Sequence, residues 1–102
     1  MKKIKSHTFR KKRYKIIISE IDNEILKLEP RCKGLCDAPN TSGKSITLSP
    51  KLSGLNLIKV SIDEGIHACC WDLDNTTVDE MSESIAKFLY RLGVRDITNE
   101  NI

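Results

Sequence analysis

From Gly54 onward the chain carries two successive stretches whose apolar residues recur every three or four positions, a period that helices satisfy and strands do not. Leu55, Ile58, Ile62, Ile66 and Cys69 form the first stripe. Val78, Met81, Ile85, Phe88 or Leu89, and Leu92 form the second, so two amphipathic helices are predicted, joined by a short acidic turn over 72–75. Thr77 and Glu80 have the spacing of a capping box, and Gly93 stands where a C-terminal cap belongs. Upstream the pattern is extended. The β-branched run Ile16-Ile17-Ile18 predicts a strand over 14–21, and Asp22-Asn23 is read as a turn into a returning strand, Glu24 to Leu28, ended by Pro30. Residues 31–43 read as a loop, and Ser45 to Leu48 as a short strand stopped by Pro50. Strands first and helices after predict an α+β fold, a short antiparallel β-sheet followed by two helices.

With 102 residues the chain has room for one domain around one modest core. The expected organisation is a basic tail over 1–6, a single domain over 7–94 and a flexible tail over 95–102. No apolar run approaches the roughly 20 residues of a membrane span. No signal-peptide core follows the basic N-terminus, so a soluble, cytoplasmic protein is expected.

The net charge of +3 hides a division. Residues 1–15 hold eight basic side chains and no acid, whereas residues 16–102 hold nine basic and fourteen acidic ones. An acidic body therefore wears a basic arm. Such an arm, with Arg10, Lys11, Lys12 and Arg13 at its centre, can neutralise nucleic-acid phosphates and release counterions. The same lysines also serve as a solvated strand edge that discourages edge pairing. Only Phe9 and Tyr14 are aromatic there, too few for a base-stacking platform.

Four cysteines occur as Cys32-x3-Cys36 and the adjacent pair Cys69-Cys70. Without a secretory signal they are expected as reduced thiols, at least one of them buried. The competing reading is a mixed metal site from Cys32, Cys36, His67 and one of the adjacent pair. The segment Ala38-Pro39-Asn40-Thr41-Ser42-Gly43-Lys44-Ser45 satisfies a relaxed phosphate-loop pattern. It runs into a predicted strand instead of a helix N-terminus, so it is read as a turn. His7 is expected at the surface. Trp71 is expected to pack at the helix junction, a substrate contact being the alternative. Asp72 and Asp74 are placed to cap the second helix.

The segment that can carry chemistry is Ile62-Asp63-Glu64-Gly65-Ile66-His67-Ala68. Asp63 and His67 lie one helical turn apart, the spacing at which two side chains hold one metal ion, and the residue after the first ligand can reach a metal-bound water as general base. The usual form is H-E-x-x-H, and here it reads D-E-x-x-H.

Gly34 to Pro39, Gly43 to Ile46, Leu57 to His67, Ala68-Cys69-Cys70-Trp71-Asp72-Leu73-Asp74 and Ile85 to Gly93 together resemble a group of small zincin-like, SprT-like metallopeptidases of phages and bacteria. His7 to Arg10, with Arg13-Tyr14, is similar to the start of that family, so the resemblance spans roughly residues 7–94. In the family pattern the helix reads H-E-A-L-H-A, and acidic residues follow W-D-L-D. The resemblance implies a minimal zincin-like domain that acts on a protein or peptide. His67 matches the second zinc ligand and Glu64 the general base. Asp63 stands where the first histidine ligand is expected, and the third ligand is sought among Asp74, Asp79 and Glu80, because Asn75 and Thr76 replace the family's acids. An aspartate ligand adds negative charge, raises the pKa of bound water and tilts preference from zinc toward harder ions such as Mn or Mg. Two classes follow. One is a metal-dependent peptidase, degenerate or weak because of D-E-x-x-H. The other is an inactive zincin-fold binding module, without metal, whose basic arm contacts nucleic acid or an acidic protein.

Overall fold

A computed structural model describes residues 3–95. Strands β1 (Ser6–Phe9) and β2 (Lys12–Ile18) are followed by helix α1 (Asn23–Leu28), strands β3 (Gly34–Cys36) and β4 (Ser45–Leu48), and helices α2 (Gly54–Cys69) and α3 (Asn75–Arg91). The α+β class is as expected. The sheet order is β1-β2-β4-β3, and it is mixed and not antiparallel throughout as expected, since β2 and β4 run parallel while the two outer pairs are antiparallel. The parallel pairing exists because the chain leaves β2 through α1 and enters the sheet again at its far edge. The first two residues, and the tail from 96 onward that was expected to be flexible, lie outside the described residues.

Three local expectations are corrected. Glu24 to Leu28 is helical, because the Asp22 carboxylate accepts from the Glu24 N–H at 2.8 Å and Lys27 pairs with Glu24 at 3.1 Å. Gly34 to Cys36, expected within a loop, is an edge strand. Thr77 does not cap α3. Asp74 does, its carboxylate accepting from the Thr77 N–H at 2.7 Å and from the Thr77 hydroxyl at 3.1 Å, so the helix starts three residues earlier. Gly93 ends it as expected, at φ +101°, with its N–H donating to the Tyr90 carbonyl and the Val94 N–H to that of Leu89.

Alternation along β2 turns Tyr14, Ile16 and Ile18 toward α2 and leaves Arg13, Lys15 and Ile17 on the outer face. The core gathers Tyr14, Ile46, Leu48, Leu52 and Ala68, with Leu57 and Val60 packed against them. Thus α2 turns Leu57, Val60, Glu64 and Ala68 toward the sheet, and the stripe Ile58, Ile62, Ile66, Cys69 lies on another side, only half-buried. The helix is apolar around most of its circumference, so periodicity alone does not select which side meets the sheet. Helix α3 packs on α2 and not on the sheet, through buried Val78, Ser82 and Ala86. No helix among the described residues is long and apolar enough to cross a membrane.

Candidate functional site

Gly34 decides how close α2 comes to the sheet. A methyl group there would lie 2.7 Å from the Val60 Cγ1 and 2.8 Å from the Glu64 Oε2, so only glycine lets α2 lie directly against β3. That approach drives the Glu64 side chain into the interior, where the residue is 8% exposed. Burial, with the Asp63 carboxylate as a lesser cause, pushes its pKa up to about 7. Glu64 therefore carries a proton far above the range of a free carboxylate.

Glu64 forms the inner wall of an open cleft of about 660 Å³. Cys32, Gly34 and Cys36 line one side, and His67, Trp71 and Leu73 line the other. The His67 and Trp71 rings meet edge to face at 6.2 Å. Trp71 is 43% exposed, so it borders the cleft instead of filling the helix junction. Strand β3 supplies more than side chains. Asp37 N–H donates to the Ser45 carbonyl and Ser49 N–H to that of Lys33, which puts Leu35 in the hydrogen-bonded register with β4. In an antiparallel ladder the alternate residues then point the other way, so the backbone groups of Gly34 and Cys36 face the free edge beside the cleft. The Cys32 thiol occupies one of them, donating to the Gly34 carbonyl at 3.3 Å.

Asp63 is not in this cleft. Its carboxylate accepts from the Ser82 hydroxyl of α3 and from the Lys59 ammonium at 3.5 Å, and Lys59 is shared with Asp79 at 2.6 Å. Asp63 and His67 occupy one helix side by spacing, yet α3 draws one away while the cleft takes the other. Asp74 is committed to capping, and the Thr77 donors hold its carboxyl below the usual range. Glu80 is exposed on α3 and lines no part of the cleft. Among the described residues no three His, Cys, Asp or Glu side chains come together as a group that could hold a metal ion. The residues present, as arranged, do not fit a catalytic zinc.

The mixed cysteine site fares no better. Cys32, Cys36 and His67 do line the same cleft, but Cys69 and Cys70 line a different groove. Burial pushes the Cys36 thiol up to about 12 and raises that of Cys32, so both keep their protons as free thiols. All four cysteines are free and half-buried, none fully buried.

Comparison with known protein families, with curated proteins and with solved structures found no match.

The basic arm takes a defined shape. Phe9 pairs with Lys12, leaving Arg10 and Lys11 as a two-residue hairpin turn with φ +47° and +69°. Such a turn favours Asn-Gly, and side-chain-bearing residues there cost about 1 kcal/mol each. The Arg10 guanidinium donates to the Cys69 carbonyl at 2.8 Å, tying the hairpin tip to the C-terminal end of α2. Lys11, Lys12 and Arg13 are exposed, and among the described residues none of them pairs with a carboxylate. His7 is exposed beside Phe9, as expected of a surface residue. The segment 38–45 is the expected turn, with the Ser45 N–H held by the Asp37 carboxylate at 2.9 Å where β4 begins.

The sequence reading misses β3 and Gly34, since three residues are too few for alternation to register. A lone glycine before Leu35 and Cys36 is the only mark they leave.

Proposed function

We propose that this chain is a degenerate zincin-like domain that acts by binding and not by metal-dependent hydrolysis. The observation that carries this reading is the position of Asp63, which is held by Lys59 and Ser82 away from His67 and Glu64. A first-ligand position committed to an ion pair between two helices offers no seat for zinc. The peptidase alternative requires Asp63 to leave that pair and an acid from α3 to join it. The cleft keeps features useful for holding an extended peptide: the free edge of β3, a carboxyl group that gives up its proton only at about neutral pH, and the His67 and Trp71 rings. The four free cysteines suit the reducing cytoplasm, where the domain is proposed to work.

The basic hairpin is proposed to contact nucleic acid. What favours it is a turn that holds Arg10 and Lys11 in a costly conformation and leaves Lys11, Lys12 and Arg13 without acidic partners among the described residues. Strain kept at an exposed, charged position points to use of that position. Lys11→Gly with Lys12→Gln and Arg13→Gln keeps Arg10 in place and relieves the turn at residue 11. Fluorescence anisotropy on duplex DNA across a salt series is expected to give a slope of log K against log salt shallower by about 2 to 3 in this variant. An unchanged slope rejects the hairpin as the contact.

A further inference from the structure

Helix α3 has two apolar sides and, among the described elements, one neighbour. Toward α2 it presents small residues, Val78, Ser82 and Ala86. Its larger apolar residues, Met81, Ile85, Phe88 and Leu92, step by four, three and four positions, which is the seam spacing of paired helices, and they are 39, 40, 61 and 65% exposed. The apolar surface continues beyond α3. Met81 borders a groove whose walls are Ile62, Ile66 and Cys69 of α2 and Phe9 of β1. The exposed residues Met81, Ile85, Phe88 and Leu92 and the half-buried Ile62, Ile66 and Cys69 thus share one apolar face.

The charges of α3 say what fits there. Its first half carries Asp79, Glu80 and Glu83 with no basic residue, and its second half carries Lys87 and Arg91 with no acid. A helix polarised in this way repels a parallel copy and complements an antiparallel one. Two-fold symmetry makes the same surface serve both copies, which is the commonest closed arrangement. We infer that α3 is the seam of an antiparallel homodimer. Met81 of one copy layers on Leu92 of the other, Ile85 layers on Phe88, and Glu80 comes against Arg91 of the other copy. The α2 grooves flank the seam, so the dimer core is a four-helix arrangement, and each Glu64 cleft, on a different side of α2, stays open.

The seam runs about 16 Å along α3. With the groove it offers on the order of 500 Å² per copy. That is below the roughly 800 Å² per partner of a standard stable interface, so the dimer dissociates on dilution, with a Kd on the order of 10 µM.

Sedimentation equilibrium of the full chain tests this between about 1 and 200 µM. The mass is expected to rise from 11.6 kDa toward twice that value. Ile85→Lys, at an exposed position, is expected to keep the same circular dichroism and remain monomeric throughout. Glu80→Lys is expected to weaken dimerisation about tenfold, because symmetry repeats the altered pair, and Glu80→Lys with Arg91→Glu is expected to restore it. A monomer at the highest concentration assigns the face to another occupant and overturns the inference. So do association beyond the dimer, a dimer that survives Ile85→Lys, and a charge exchange that restores nothing.

Discussion

Glu64→Gln is expected to make the protein about 3 kcal/mol more stable near pH 8 while leaving its stability near pH 4 unchanged. The folded chain holds the Glu64 proton up to about pH 7, whereas a free glutamate releases it near 4.5. Unfolding therefore releases a proton between those values, and the native protein loses stability as pH rises through that window and no more above it. The cause is the approach of α2 to Gly34, which buries most of the carboxylate against β3. Glutamine keeps the shape of the protonated acid without the ionisation. Urea unfolding at a series of pH values checks this: the natural chain slopes downward between about pH 4.5 and 7, and the variant is flat across the same range. A natural chain that is also flat there would show that Glu64 ionises freely and is not enclosed.

The second large effect is at Tyr14, where alanine is expected to cost about 4 kcal/mol. Tyr14 is fully buried on the inner face of β2, in the core cluster that also holds Ile46, Leu48, Leu52 and Ala68. Its ring meets Phe9 edge to face at 5.9 Å, and its hydroxyl donates to the Asp37 carbonyl at 3.1 Å. Tyr14 thus joins the core to the segment leading out of β3. Phenylalanine separates the two contributions: it keeps the ring and gives up only the hydrogen bond, for an expected loss of about 1 kcal/mol. Equal losses for the two variants in urea unfolding would place the stabilisation in the hydroxyl and contradict the packing argument.

Much of this fold is legible in the sequence because its elements have strong local signatures. The β-branched run of β2, the periodicity of α2 and α3 and the C-terminal glycine of α3 each specify their own conformation. What escapes is set by contacts distant in sequence. Glu24 to Leu28 looks like a strand until the Asp22 cap and the Glu24–Lys27 pair are seen to suit a helix. The side of α2 that meets the sheet contains a glutamate, and a pattern reading assigns glutamate to solvent. Glu64 goes inward because Gly34, thirty residues earlier, leaves space for it. Adjacent positions in the motif also meet different fates. Asp63 is taken by Lys59 and Ser82, His67 by the cleft, and one-turn spacing alone does not distinguish that division from a shared metal ion. The resemblance to zincin-like peptidases directs attention to α2, while the neighbours of each side chain decide what that helix can do.

Metal content tests the account most directly. The natural chain, equilibrated with zinc and then desalted, is measured by elemental analysis beside an Asp63→His variant and assayed for proteolysis with and without Glu64→Gln. The account predicts less than about 0.1 zinc per natural chain and no proteolysis that depends on Glu64, with higher zinc retention in the histidine variant. About one zinc per natural chain, with proteolysis abolished by Glu64→Gln, would contradict it and establish a working metallopeptidase.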